Sequence, residues 1–505
     1  MRHSVDNRIL ENTVSLPNLN SVVASLKSLT KEFADSPVFQ NLKPLADQPA
    51  PSEVSWPPLR IGTLEVPVPI VQGGMGVGIS LSGLAAAVAD AGGVGVIAAN
   101  AIGLVEPDYY TDGRAANIRA LRRELQTARK KTTGVLGVNI MVAVNDFHQL
   151  LEVAIDEGVD LVFMGAGLPI KGLPVERMRA AGVRAVPIVS SARAVQMIFR
   201  MWSKLYGDVP DAVVVEGPLA GGHLGFSPEQ IDDPEFQLEA LLPGVVEAVR
   251  PFEEAHKRRI PVIAAGGVFT GADIFTMLSL GASAVQMGTR FVATDECDAH
   301  ETFKQAYVDS TEEQIGLIDS PVGMPGRAIR NEFILASEGG RRPEFKCAWQ
   351  CLASCKADGA HYCISIALNN ARQGRLRNGF VFAGANAHRV EKIVPVPTLV
   401  NELLSEYQAV AGEKIAGWLE TLVARLHEIR DDYYAAADRA RELRHAYELA
   451  LADLIHNATS AGIAAVREQY DSALANVRRL QFQLAEKTAA CWAAVQGAPL
   501  SGDLL

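Results

Sequence analysis

The sequence predicts a protein of the α/β class: a (β/α)8 TIM barrel with a cysteine-rich segment and a C-terminal helical extension. The first indication is an alternation between residues 68 and 290, where short apolar runs rich in β-branched residues are separated by longer amphipathic segments. Such alternation predicts parallel strands joined by right-handed crossovers, and eight units close a barrel. The second indication is a set of glycines at the carboxyl ends of the last two runs, which is the face where such barrels place their active sites.

The predicted strands are the eight apolar runs at residues 69–72, 94–99, 136–142, 160–165, 185–190, 212–216, 261–267 and 284–290. The predicted helices between them lie at residues 81–91, 115–129, 146–157, 175–181, 192–205, 236–256 and 271–280. A doubly wound open sheet is the alternative, because the glycine-rich run 74–80 looks like a dinucleotide-binding fingerprint. The next strand, however, ends in Ala98, Ala99 and Asn100 without the acidic residue that such a fold needs.

Changes in composition divide the chain into four segments. Residues 1–58 form a polar lead, residues 59–310 the predicted barrel, residues 311–397 a barrel-capping segment with a cysteine cluster, and residues 398–505 a helical extension. In the extension an apolar seam recurs in steps of four and three, at Val466, Tyr470, Ala473, Val477, Leu480 and Leu484. We expect these helices to pack on the barrel or on a second subunit, and we expect a homo-oligomer formed through them.

Composition and charge exclude several kinds of partner. The formal net charge of −11 argues against nucleic acid, because such binding needs a basic face that displaces phosphate counterions. The longest apolar stretch, residues 84–103, contains Asp90 and many small residues, so it predicts a buried helix and strand rather than a membrane span. A polar start and six cysteines in 505 residues are typical of a cytoplasmic protein.

Four cysteines fall in one short window with the spacing C-x3-C-x3-C-x7-C: Cys347, Cys351, Cys355 and Cys363. Steps of four, four and eight residues can place thiolates along one face of a helix or helical turn, where they would converge on a metal centre. The pattern favours an iron–sulfur cluster. A structural zinc site is an alternative, although its ligand pairs usually lie two to four residues apart, and free or redox-labile thiols are a third.

Residues within or just after the carboxyl-terminal parts of the predicted strands form the candidate site, since active sites of such barrels lie at the carboxyl ends of the strands. These residues are Gly73, Gly74 and Met75, then Asn139, Ser190 and Glu216, and finally Gly266, Gly267, Gly288 and Thr289. Glycines at the seventh and eighth strand ends predict a phosphate site, because unsubstituted backbone lets several N–H groups approach the oxygens. Gly73 and Gly74 would let a flat ring press against the backbone.

The loop after the sixth predicted strand carries a histidine between glycines. His223 follows Gly221 and Gly222 and precedes Leu224 and Gly225. A lone histidine is usually packed or solvent-facing, but flanking glycines leave little to hold this ring by packing. A group that titrates near neutral pH is suited to proton transfer.

These motifs together resemble the FMN-dependent family that contains nitronate monooxygenases, once called 2-nitropropane dioxygenases, and flavin-type enoyl-acyl-carrier-protein reductases. The resemblance rests on residues 69–75, 137–139, 221–223, 264–268 and 287–291. It implies FMN, with its phosphate at Gly266, Gly267, Gly288 and Thr289 and its ring against residues 73–75 and Asn139. It also implies that His223 is the catalytic acid or base.

The loop departs from the nitronate monooxygenase pattern, in which a Gln and a Glu stand where this chain has Glu216 and Leu219. The cysteine window and residues 384–386 are similar instead to the branch of bacterial unsaturated fatty-acid biosynthesis, an acyl-carrier-protein dehydrogenase/isomerase with FMN and a [4Fe–4S] cluster. That similarity extends to about residue 397.

The resemblance implies an FMN-dependent oxidoreductase that dehydrogenates an acyl thioester, with or without a shift of the double bond, or reduces it. The thioester would be of fatty-acid or polyketide type and could be carried on acyl carrier protein. One alternative is oxidation of alkyl nitronates with O2. Another is a flavoprotein docking module of a lipid or polyketide assembly line, where a basic patch at residues 257–259 or 341–342 would have to receive an acidic carrier.

Overall fold

The structure is a computed structural model that describes residues 19–42, 44, 55–341, 344–345, 347, 349–353, 355, 360–453 and 460–495. These residues fall into two compact units. One is drawn from the described parts of Met1–Ser55 and Gln408–Leu505, and the other is Trp56–Tyr407. The four-segment division made from composition stays a prediction.

The unit Trp56–Tyr407 is built on eight parallel strands. They are β3 Ile70–Gln72, β4 Val94–Ala98, β5 Val135–Met141, β6 Leu161–Gly165, β7 Arg184–Val189, β8 Val213–Glu216, β10 Val262–Ala265 and β11 Ala284–Met287. They follow this order around a closed barrel, and β11 pairs back to β3. Each predicted run overlaps one of these strands, with β5 and β7 beginning one residue earlier than predicted, so the predicted barrel is confirmed and the open-sheet alternative is wrong.

Seven helices follow the barrel strands as predicted: Ser82–Asp90, Gly113–Lys131, Phe147–Asp156, Val175–Ala180, Ala192–Tyr206, Leu238–His256 and Gly271–Ser279. The helix Ala192–Tyr206 shows why they form. The Ser191 side chain accepts a hydrogen bond from the Ala194 amide at its start, and Gly207 ends it with a φ of 63°. Its buried residues lie at helical spacing against the barrel: Val195, Ile198, Phe199 and Trp202.

Alternate residues of each strand fill the barrel interior. The interior cluster includes Val71, Val96, Phe163, Val186, Val214 and Ile263. A hairpin of β1 Leu59–Ile61 and β2 Leu64–Val66 packs into the same cluster through Leu59, Ile61 and Val66. Because the side-chain period of a strand is two, residue 216 on β8 and residue 286 on β11 face the same interior as Val214 and Ala284.

A second, antiparallel sheet holds the candidate catalytic loop. It consists of β12 Ile315–Asp319, β13 Pro325–Ile329 and β14 Val381–Phe382, and the two-residue strand β9 Gly222–His223 pairs with β13. Residues 311–345 have no strong periodicity in the sequence, yet they form the β12–β13 hairpin and the helix Glu332–Glu338. Further helices of this unit are Pro228–Ile231, Thr289–Val292, Glu301–Val308 and Ile364–Arg372.

The other unit is helical. The helix Leu19–Glu32 and the 3-10 helix Pro37–Leu42 contribute Val22, Leu26, Leu29 and Phe39 to an apolar cluster. The long helices Val396–Asp453 and Ser460–Val495 contribute Leu422, Leu426, Ile429, Leu484 and Trp492 to the same cluster. Of the predicted seam, Leu480 and Leu484 are buried, whereas Val466, Tyr470, Ala473 and Val477 are half-buried. No helix in the described ranges is long and apolar enough to cross a membrane.

Candidate active site

A cavity of about 350 Å³ lies at the carboxyl ends of the barrel strands. The structure brings together around it the predicted residues His223, Gly73, Gly74, Met75, Asn139, Glu216, Gly221, Gly222, Gly266, Gly267, Gly288 and Thr289. Ser190 is the exception, because it does not line the cavity. Its Oγ lies 2.5 Å from where a Cβ on Gly225 would stand, so Ser190 supports the glycine-rich loop from below.

The floor of the cavity is the top layer of the barrel interior. Asn139, Glu216 and Gln286 project into this layer from β5, β8 and β11. A Cβ on Gly74 would stand 2.4 Å from the Cβ of Asn139, so only glycine lets the first loop cross so close above the floor. A planar group placed here would meet backbone on one side and amide and carboxyl side chains below.

Glycines line the cavity where β10 and β11 end. Gly266 and Gly267 have φ values of 86° and 114°, which glycine adopts without strain. A Cβ on Gly288 would meet nothing within 4 Å, so its backbone faces open space. Within the described ranges, the backbone amides of Gly267, Gly288 and Thr289 have no protein acceptor. This end of the cavity therefore offers free N–H donors to one anionic group.

His223 lies opposite, in the small sheet. It pairs with Gly326 of β13, and its ring packs edge-on against Phe382 at a centroid distance of 5.1 Å. Its Nε2 is 2.7 Å from the Ser320 hydroxyl, which orients the ring. Burial lowers the pKa of His223 to about 4, so the imidazole is neutral near pH 7. Within the described ranges Nδ1 has no protein partner.

A buried arginine fixes the loop that carries His223. Arg327 on β13 is 7 % exposed and donates hydrogen bonds to the carbonyl oxygens of Pro218 and Ala220, the second at 3.1 Å. The amide of Ala385 donates to the Leu219 carbonyl at 3.0 Å on the same loop. The position of His223 therefore depends on residues about a hundred positions further along the chain.

The four cysteines of the window surround a neighbouring cavity of about 440 Å³. Trp349, Cys351, Leu352, Ile364 and Ser365 line both cavities. Cys351 is anchored to the end of β5, because its carbonyl accepts from the Asn145 amide and Leu352 bridges to Val144. Cys347, Cys351 and Cys355 lie outside helices and Cys363 directly precedes one, so the expectation of a shared helical face is wrong.

The electrostatics of these thiols reflect their closeness. Burial raises the pKa of the Cys351, Cys355 and Cys363 thiols, and each is raised further by other cysteines of the window. Across the described part of the chain, no group of three or more His, Cys, Asp or Glu side chains is placed to hold a metal ion. The thiols line the walls of a cavity and do not converge on one point.

Sequence reasoning missed three residues of the site. Ser320 and Arg327 lie in a stretch whose hairpin carries no period-two signal. Gln286 could have been found, because it lies two residues from Ala284 and from Gly288 on a predicted strand, and so faces inward with them.

Comparisons with known proteins identify a family and several similar proteins. A family model described as nitronate monooxygenase matches residues 58–406. A curated relative is a (3aS,4S,5R,7aS)-5-hydroxy-7a-methyl-1-oxo-octahydro-1H-indene-4-carboxyl-CoA dehydrogenase of Mycobacterium tuberculosis, 30% identical over 54% of this chain. The match spans 66% of that relative, just under two thirds of its length.

Another curated relative is a probable nitronate monooxygenase of Staphylococcus saprophyticus, 28% identical over 54% of this chain and 78% of its own. Among solved structures, FabK from Thermotoga maritima has a TM-score of 0.53 at 30% identity, over 70% of this chain and 96% of that one. A nitroalkane oxidase from Streptomyces ansochromogenes has the same TM-score of 0.53 at 26% identity, over 69% and 97% of the two chains.

Proposed function

The chain belongs to the nitronate monooxygenase family of FMN-dependent oxidoreductases, and from this premise we propose that it oxidises or reduces an acyl thioester with His223 as acid or base. One observation carries the choice of substrate. Among the described residues that line the cavity there is no lysine or arginine, and His223 is neutral near pH 7. A nitronate is an anion and needs a compensating charge, whereas a thioester is neutral at its reacting carbons.

The apolar wall of the cavity supports the same choice. The apolar side chains that line the cavity include Val77, Ile79, Val144, Leu352, Ile364 and Leu368. An acyl chain can lie along such a wall without leaving polar groups unpaired.

The residues of the cavity fit FMN. The free amides at Gly267, Gly288 and Thr289 would hold its single phosphate, and Gly73, Gly74 and Asn139 would hold its ring. The cofactor would supply the acceptor and donor of hydride at the β carbon. His223 would take the α proton, or return it in the reducing direction, through the unpartnered Nδ1, because Ser320 holds Nε2.

An anaerobic substrate comparison tests this proposal. We expect bleaching of the flavin on mixing with an acyl-CoA or acyl-pantetheine, or reoxidation of reduced flavin by the matching enoyl thioester. Propyl-2-nitronate with O2 is the second arm. Turnover of the nitronate with no response to any thioester of four to sixteen carbons contradicts the thioester proposal and establishes the nitronate reaction, which the Staphylococcus relative and the Streptomyces structure favour.

We also propose that the cysteine cavity holds a [4Fe–4S] cluster. A zinc ion needs four ligands at about 2.3 Å from one point, whereas a cluster brings its own core to thiolates spread around a cavity. The arrangement of Cys347, Cys351, Cys355 and Cys363 around about 440 Å³ fits the second case better. Zinc or free thiols are the alternatives.

Metal analysis of anaerobically purified protein tests the cluster. We expect about four iron and four sulfide per chain, and loss of both in Cys355→Ser. Cys297→Ser is the matched control, because Cys297 is buried outside the window, where its thiol lies 3.6 Å from the Ile79 carbonyl oxygen within an apolar cluster. About one zinc and no iron would establish a structural site instead.

An acyl-carrier-protein partner stays a proposal with weaker support. Of the basic patch at residues 257–259, Arg258 pairs with Asp208 and Asp211, and Arg259 lies 3.7 Å from Glu253. Of the other patch, Arg342 lies outside the described residues.

A further inference from the structure

Glu216 carries a carboxyl group that the reaction at His223 does not use. It ends β8 on the inward face, in line with Ala212 and Val214 of the barrel interior, and lines the cavity floor. Its neighbours across the ladder are Ala265 on β10 and, one position earlier, the apolar pair Val189 and Val215. The carboxyl is therefore held at the base of the cofactor site by an apolar frame.

This carboxyl has no protein partner in the described ranges. Neither a salt bridge nor a side-chain hydrogen bond reaches it, and the polar side chains of the same layer, Asn139 and Gln286, are neutral amides. Burial alone raises the pKa of Glu216 to about 7. An unpartnered carboxyl that opens only toward a cofactor cavity can respond to what is bound there.

The other titratable groups around the cavity are occupied or far from titration near pH 7. The Asp146 carboxylate accepts a hydrogen bond from Asn117 Nδ2 at 2.8 Å, and the Tyr307 hydroxyl donates to the Phe382 carbonyl at 2.6 Å. Burial raises the pKa of Tyr307 and of Cys351, and it lowers that of His223 to about 4. Arg327 points away from the floor to the carbonyls of its loop.

We infer that Glu216 takes up a proton from solvent when the flavin in this cavity is reduced. The two-electron reduction is then accompanied by the uptake of one proton more than the flavin itself binds. The inference rests on the proposed function. Two-electron reduction with uptake of one proton leaves the cofactor with one more negative charge. The Glu216 carboxylate then becomes a carboxylic acid, and the proton comes from water. In turnover the two electrons come from the reducing substrate, and in the test they come from an electrode through mediators.

The physical cause is repulsion between two negative charges in a weakly polar cavity. Such repulsion is several times stronger than in water, and it raises the pKa of the carboxyl still further. Uptake of the proton therefore depends on the flavin and the Glu216 carboxyl together, and the midpoint potential of the flavin is coupled to the titration of Glu216. Below the pKa of the oxidised state Glu216 is already protonated, so the extra uptake appears only above about pH 7.

Potentiometry of the flavin-loaded protein between pH 5 and 9 tests the inference. Above pH 7 we expect the midpoint potential of the wild type to fall about 29.6 mV per pH unit more steeply than that of Glu216→Gln, which is one proton in a two-electron couple. Glu216→Asp keeps the steeper dependence because it keeps a carboxyl. Asp146→Asn is the control for the other carboxyl of the cavity and also keeps it.

Equal slopes in the wild type and Glu216→Gln overturn the inference, as does loss of the steeper slope in Asp146→Asn alone. If Glu216→Gln does not bind flavin, the inference is tested on the wild type instead. An indicator dye then counts the protons that are taken up per two electrons during reduction at pH 8. One proton more than free FMN takes up in the same measurement at pH 8 supports the role of Glu216, and an equal count overturns it. Neither measurement needs turnover. A protein that binds flavin but does not react with thioesters would contradict the proposed function, and the inference could still be tested on it.

Discussion

At the scale of single residues, the state of His223 decides which chemistry the site can perform. Its ring is neutral above about pH 4, its Nε2 is held by Ser320, and no residue that the structure describes bonds to its Nδ1. A neutral imidazole accepts a proton from a carbon acid but cannot serve as a fixed positive charge for an anion. The same residue thus supports proton transfer and disfavours an anionic substrate.

Replacing His223 by Ala should lower turnover about a hundredfold or more and leave flavin bound, because in the proposed reaction the ring transfers a proton and does not hold the phosphate. Steady-state kinetics on any accepted substrate, with flavin content from the visible spectrum, measures both. His148→Ala is the control, since His148 is exposed. Near-normal turnover of the His223→Ala variant with full flavin content would show that His223 is a structural residue.

Glu216 should make the apoprotein less stable as pH rises. Its pKa is about 7 in the fold and near its ordinary 4.5 when unfolded, so the folded state binds more protons between these values. The free energy of unfolding therefore decreases from pH 4.5 to pH 7 through this group. Urea unfolding of flavin-free protein at pH 5 and pH 8 should show a smaller decrease in Glu216→Gln. An identical decrease in both proteins would mean that the Glu216 carboxyl is solvated in the fold.

At the scale of elements, the loop that carries His223 is positioned by a hairpin from a distant part of the chain. Gly326 packs tightly there, because a Cβ on it would stand 2.9 Å from the Phe382 ring. Arg327, the next residue, supplies the only side-chain donor in the described ranges to the Pro218 and Ala220 carbonyls. Loss of that donor leaves buried acceptors unpaired.

Replacing Arg327 by Met, which keeps much of the side-chain volume, should cost about 1–3 kcal/mol of stability and reduce turnover by displacing His223. Chemical unfolding and kinetics measure the two effects. Arg330→Met on the same hairpin is the control, because Arg330 pairs with Glu338 at an exposed site. Equal effects of the two replacements would show that the loop does not depend on Arg327.

The barrel was predictable because each strand carries its own signal. A buried parallel strand is a short apolar run between amphipathic helical segments, and the eight runs have this pattern. Even the inward position of Gln286 follows from the spacing along its run. The hairpin was not predictable, because neither strand alternates between buried and exposed residues: β12 is mostly half-buried, β13 is buried from Gly326 to Ile329, and each strand contains a glycine, Gly316 or Gly326. Their pairing with Gly222 and His223 is long-range, and no local pattern encodes it. The cysteines are close in sequence, yet an irregular backbone brings them together.

At the scale of the whole molecule, the long helix Val396–Asp453 belongs to both compact units. Its first three turns complete the barrel unit. Leu399 and Leu403 are fully buried, the Gly271 amide donates to Glu406 Oε2 at 2.6 Å, and Tyr407 packs against Trp56 and Phe275. A division near residue 397, as composition suggests, would remove these contacts, whereas a division after Tyr407 keeps them.

A fragment of residues 56–407 should therefore fold and bind FMN with the flavin spectrum of the full chain, and a fragment of residues 56–397 should be much less stable. Full burial of one Leu or Tyr stabilises by about 1.5–3 kcal/mol, and the shorter fragment loses three such residues. Flavin content and thermal unfolding of the two fragments measure the difference, and equal stability would contradict the role of the first turns.

Light scattering of the longer fragment tests the proposed oligomer: if the helices beyond Tyr407 join subunits, the full chain associates and the fragment is a monomer. The same subunit number in both would place any subunit contact on the barrel unit instead.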